Sequence, residues 1–221
     1  MKLVFRDTPS PNFNDRKCPL AYIVLHYTGM ETGAAALERM CDPQAQVSAH
    51  YMVEEDGTVC RLVDESHRAW HAGVSFWRGE RDLNSASIGI EIVNGGHDFG
   101  LPGFPSVQID AVIALARDVM GRHGIAPRDV IGHSDIAPGR KIDPGEKFPW
   151  AQLAEAGCAL KLPQARVAGE PDALLERIGY GLEPGLPAVV EAFQRRWRPA
   201  RVDGQLDDET RDLIARVASA A

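Results

Sequence analysis

The chain has no run approaching the roughly 20 apolar residues of a membrane-crossing helix, so no transmembrane span is expected. It has no basic excess. Its 24 lysines and arginines face 31 acidic residues, a formal net charge of −7, which excludes the electrostatic footprint of a nucleic-acid binder. It has no closely spaced cysteine pair: Cys18, Cys41, Cys60 and Cys158 lie far apart, so a cysteine-rich metal cluster is not indicated. Cys41 and Cys60 read as small buried hydrophobes. The first residues lack a continuous apolar stretch before charge returns at Arg6 and Asp7, which is not the pattern of a secretory leader. The expectation is a cytoplasmic protein with reduced thiols; a chain trimmed of its leader would be periplasmic instead. Internal repeats and low-complexity tracts are absent. Lysine is scarce, at positions 2, 17, 141, 147 and 161 only, which makes Lys141 an unusual residue to find in a tight loop.

What is present fits one medium domain, or one with a small addition, at 221 residues. An apolar run at 22–26 predicts a buried strand. Residues 34–41 read as a helix, and 50–54 with 58–63 read as a hairpin around Glu55-Asp56-Gly57. In 87–93 the isoleucines 88, 90 and 92 alternate with Gly89 and Glu91, so Glu91 should face away from them. Helical spacing covers 107–123, with Gly124 beyond its end and Arg122 and His123 suited to the negative end of the helix dipole. A short strand at 129–131 and a helix at 148–156 follow. The expected fold is α/β, a mixed central β-sheet flanked by helices. Residues 1–160 form this domain, 161–171 is a linker marked by two prolines and a glycine, and 172–221 is a small all-α module. In that module Phe193 and Trp197 should share one helix face as core.

Residues 132–145, Gly-His-Ser-Asp-Ile-Ala-Pro-Gly-Arg-Lys-Ile-Asp-Pro-Gly, place a histidine, a lysine and an aspartate in one stiff loop. His26 ends the first apolar strand. Together His26, His133 and Asp143 offer a two-histidine, one-carboxylate set that leaves a fourth zinc position open, as catalytic sites do. The bland alternative is a solvated turn with a local Lys–Asp pair, and a core histidine at position 26. Glu91 is either a face residue or a site residue. Trp70 and His71 either line a groove or pack in the core. Residues 95–105, with four glycines and two prolines, read as a functional loop. His67, His97 and His123 read as ordinary surface or capping residues.

Five segments, in order, resemble a known family: Tyr-Ile-Val-Leu-His-Tyr-Thr at 22–28, Val-Ser-Ala-His-Tyr-Met-Val at 47–53, Ala-Trp-His-Ala-Gly at 69–73, Ser-Ile-Gly-Ile-Glu-Ile at 87–92, and the 132–145 loop. They are similar to the zinc-dependent N-acetylmuramoyl-L-alanine amidases of the AmpD and AmiD kind, relatives of phage amidase-type lysozymes and peptidoglycan recognition proteins. The resemblance implies one zinc ion per chain on His26, His133 and Asp143, with Glu91 and Lys141 catalytic. Glu91 would act as general base and Lys141 as oxyanion stabiliser. It places His50 near the site without binding metal; His50, Trp70, His71 and Asn94 are candidate substrate contacts. The implied substrate is peptidoglycan or a muropeptide, cut between N-acetylmuramic acid, or its 1,6-anhydro form, and L-alanine. No protein partner is implied. The 174–217 stretch resembles a three-helix peptidoglycan-binding module, on Ile178-Gly179-Tyr180, Ala192-Phe193-Gln194 and Asp203-Gly204-Gln205-Leu206-Asp207. The alternatives are a catalytically inactive peptidoglycan-binding protein, or a zinc amidase acting on a different amide.

Overall fold

Strand propensity and burial coincide at Tyr22–Tyr27 (β3), whose interior residues are buried. A computed structural model describes residues 2–221. The other strands are β1 (Phe5–Asp7), β2 (Phe13–Asp15), β4 (Tyr51–Val53), β5 (Val59–Arg61), β6 (His67–Ala69), β7 (Ser87–Ile92) and β8 (Val130–Gly132). The helices are α1 (Gly33–Cys41), α2 (Leu83–Ala86), α3 (Ser106–His123), α4 (His133–Ile136), α5 (Trp150–Glu155), α6 (Pro171–Ile178), α7 (Leu186–Trp197) and α8 (Asp208–Val217). The main sheet runs β1-β5-β4-β7-β3-β8, and β2 pairs with β6 in a separate ribbon. Among the described residues only β4–β5 is antiparallel in the main sheet; β3 lies parallel to both β7 and β8.

Alternation along these strands divides the apolar residues between two faces. Ile23, Leu25, Ile88, Ile90, Ile92 and Val130 join Ile109, Val112, Leu115 and Val119 of α3 in one core. The opposite face carries Val24 and Ile131, and these enter one continuous cluster with residues of α6, α7 and α8, including Leu175, Ile178, Val190, Phe193 and Ile214. Farther along that face, Met52 and Cys60 pack on Ala36 and Met40 of α1. Glu91 stands on this second face, opposite the isoleucines. Phe193 and Trp197 stack with ring centres 6.2 Å apart, Phe193 fully buried.

The predicted hairpin forms with shorter strands, closed by Glu54 N–H on Thr58 O at 2.8 Å. The helix expected at 148–156 begins at Trp150, after Pro149 at its N-cap. Some short elements were invisible in the sequence. β1 and β2 are three-residue strands of exposed residues, and nothing alternates in them to mark a buried face. The histidine loop contains one turn of helix, α4, starting at His133 itself.

Candidate metal centre and its cleft

Parallel pairing brings the chemistry to one place. Register sets His26 of β3 beside Glu91 of β7, and Leu25 beside Gly132 of β8, one residue before His133. Three parallel strands therefore deliver His26, Glu91 and His133 at their carboxyl ends, where open α/β sheets place ligands. Asp143 returns from the loop, whose two ends are held by Ser134 N–H on Asp143 O at 2.9 Å.

His26 Nδ1, His133 Nδ1 and Asp143 Oδ2 converge. The two nitrogens are 2.9 Å apart, and each is 3.0 Å from the carboxylate oxygen. All three residues are buried. The rest of the hydrogen bonding says what these atoms carry. His133 Nε2 lies 3.0 Å from the Ala72 carbonyl, which can only accept, so its proton sits on Nε2 and its Nδ1 presents a lone pair. His26 Nε2 lies 3.1 Å from His71 Nδ1, and a donating His26 Nε2 leaves its Nδ1 bare as well. Burial, then the neighbouring His133, pushes His26 down to about 4, which keeps it neutral at pH 7. Two lone pairs and a carboxylate facing one another with no proton between them call for a cation, and nitrogen and oxygen donors in this number suit zinc.

The seat of His71 explains a glycine. A Cβ on Gly89 would stand 2.4 Å from the His71 ring. Gly89→Ala should displace that ring from His26 Nε2 and weaken zinc binding about tenfold or more, since partners of ligating histidines are worth roughly 10–100-fold in affinity. Chelator competition measures this; an unchanged affinity would mean that the ring shifts without consequence.

The donors open on a cleft of about 580 Å³ lined by Tyr27, Arg39, His71, Glu91, Arg140 and Lys141, among others. Glu91 Oε2 is shielded from solvent and has no hydrogen-bond partner among the described residues. Burial, then the charge of Asp143, raises its carboxyl well above the usual carboxylate range, and Lys141 opposes this. A dication beside it would pull the other way.

Other expected contacts sit elsewhere. His50 is fully buried, accepts the Gly89 N–H on Nδ1 at 2.9 Å, and packs 5.7 Å from the His71 ring centre. Asn94 shapes a loop, donating to Pro102 O and accepting from the Gly96 N–H, both at 2.9 Å. Trp70 turns its indole N–H to Asn14 at 2.9 Å, beside the small ribbon, and is not among the cleft-lining residues. His97, read from sequence as a surface residue, lines the cleft, 3.0 Å from the Tyr27 hydroxyl and 3.0 Å from Glu146. Arg140 was also missed: it donates to Ala72 O at 2.7 Å and Val74 O at 2.6 Å, bracing the loop that supports His133. The only available signal was its place beside Lys141.

A mostly parallel sheet thus carries, at its strand ends, an open three-donor centre able to hold a metal ion. The sequence profile described as N-acetylmuramoyl-L-alanine amidase matches residues 16–146. The chain belongs to this amidase family. It is 37% identical to N-acetylmuramoyl-L-alanine amidase AmiD of Escherichia coli K12 over 86% of this chain and 79% of that one. It is 33% identical to 1,6-anhydro-N-acetylmuramyl-L-alanine amidase AmpD of the same organism, over 67% of this chain and 89% of that one. The structure of E. coli AmiD with anhydro-N-acetylmuramic acid-L-Ala-D-γ-Glu-L-Lys superposes with a TM-score of 0.82 at 34% identity, covering 94% and 92% of the two chains. AmpDh3 of Pseudomonas aeruginosa bound to anhydromuramic pentapeptide gives 0.81 at 34% identity, over 91% and 92%.

Proposed function

We propose that this chain is a zinc-dependent amidase that hydrolyses the bond between the lactyl group of N-acetylmuramic acid, or its 1,6-anhydro form, and L-alanine in muropeptides, in cell-wall recycling or turnover. The observation that carries the reading is the convergence of His26 Nδ1, His133 Nδ1 and Asp143 Oδ2 in a cleft also lined by Glu91, whose Oε2 is unpartnered. Family membership and relatives solved with anhydromuropeptides support the substrate class. Bound there, zinc supplies a Lewis acid and lowers the pKa of water to about 7. Glu91 takes the proton from the attacking water and passes it to the departing alanine nitrogen. Lys141 stabilises the oxyanion that develops on the lactyl carbonyl. His71 holds the His26 ring in its tautomer, and the Ala72 carbonyl does the same for His133. An intact donor set with an available base argues for catalysis over mere binding.

Metal analysis of the purified protein, with incubation against soluble anhydromuropeptide and against sacculi, tests this reading. About one zinc per chain and release of peptides beginning with L-alanine are expected. Zinc-loaded protein that frees no peptide from either substrate overturns it.

A further inference from the structure

Asp135 lies two residues beyond His133 and is 1% exposed, yet it is not among the residues lining the cleft. Its Oδ2 accepts the backbone N–H of Gly132 at 2.8 Å, closing over the first turn of α4, the turn that starts at His133. Its other partners come from the far end of the chain. The Tyr180 hydroxyl donates to Oδ1 at 2.6 Å, and Arg196 Nη1 donates to Oδ2 at 3.2 Å. Both are themselves held. Tyr180 is 1% exposed and meets Trp77 edge-on at 4.9 Å, and the Arg196 guanidinium lies 4.1 Å over the Trp150 ring.

A carboxylate this deep is tolerated only when paired and hydrogen-bonded. Here the hydroxyl and the guanidinium both belong to the segment after residue 171. The position of Asp135, and with it the N-terminal turn of α4, therefore depends on that segment. His133 heads this turn, and its Nδ1 has to meet His26 and Asp143 within a few tenths of an ångström. We propose that Asp135 is a positioning residue which, clamped by Tyr180 and Arg196, fixes the start of α4, so that the C-terminal helices set the metal affinity of a centre they do not touch. The proposal rests on the zinc reading above and concerns how this chain holds the ion, not what it cleaves.

The test is zinc affinity of the full chain by competition with a chelator, alongside thermal unfolding of the metal-free protein. Tyr180→Phe and Arg196→Met are each expected to weaken zinc binding about tenfold, the lower end of what indirect partners of a metal site contribute. Arg196→Lys keeps a charge and should recover part of the loss. The double variant should lose less than the product of the two single effects, because both act through one carboxylate. Thr210→Val provides the contrast. Thr210 is buried in α8 and bonded to Asp207 and Gln194, so its loss destabilises the same segment without touching Asp135. It should leave zinc affinity as in the parent protein. Variants at Tyr180 and Arg196 that unfold at lower temperature but bind zinc as before overturn the proposal, as does a Thr210→Val protein that weakens zinc equally. A parent protein that takes up no zinc removes the functional reading as well, which separates the two failures.

Discussion

Glu91→Gln is expected to keep its zinc and lose about 10²- to 10⁴-fold in turnover, the range of a positioned general base. The substitution preserves size and removes only the ability to take a proton. The parallel register places Glu91 alongside His26, on the face opposite the isoleucine core. Its Oε2 is shielded and unpartnered, so no ion pair or structural hydrogen bond is broken there by the change. Burying an unpaired carboxyl costs free energy, so the glutamine protein should unfold at the same temperature or slightly higher. Turnover of an anhydromuropeptide with zinc content measured on the same sample checks the expectation. Near-parental turnover at full zinc occupancy would assign the base to another residue.

Truncation after residue 160 is expected to yield a chain that precipitates or fails to unfold cooperatively. The segment removed covers Val24, Trp77, Ile131, Ile136 and Ala137, which share one buried cluster with Leu175, Ile178, Val190, Phe193 and Ile214. Exposing a large apolar side chain costs about 1.5–3 kcal/mol. Four or five such losses match the whole stability of a typical domain, roughly 5–15 kcal/mol. Asp135 would also lose the Tyr180 hydroxyl and the Arg196 guanidinium together. The composition shift at 161–171 leads to the other expectation, a separable module whose loss spares a zinc-loaded amidase domain. Soluble expression, zinc content and thermal unfolding of the truncated chain decide between them, and a soluble, cooperatively folding, zinc-loaded product establishes the boundary at 161–171.

The sheet centre was legible because β3 and β7 are long enough to show their pattern. Apolar residues fill both faces of β3 until His26, and Glu91 breaks an otherwise isoleucine-lined strand. The long helix α3 announced itself by spacing and by Gly124. The edge strands β1 and β2 could not be read, since three exposed residues carry no periodicity. The partners of Asp135 were equally hidden. Tyr180 and Arg196 lie 45 and 61 residues away, and a hydrogen bond over that distance leaves no mark in local pattern. The polar residues beside the strong motifs were harder than the motifs themselves. Trp70, His50 and Asn94 are polar or aromatic in a suggestive neighbourhood, and only side-chain direction distinguishes a residue that lines the cleft from one that braces its wall.

The placement of β3 between β7 and β8 also bears on how the molecule assembles. His26 stands 107 residues before His133 and 117 before Asp143. Chain closure over such separations is entropically costly and belongs to slow, non-local folding. The three-donor cluster exists only after the third parallel strand has docked, so a partly folded or nascent chain offers an ion one histidine at a time. On the proposed zinc reading, the ion would bind the finished sheet far better than any precursor and by mass action would hold that sheet closed. In a cell short of zinc, the first consequence for this protein would be a larger unfolded fraction open to proteolysis, in addition to the loss of activity.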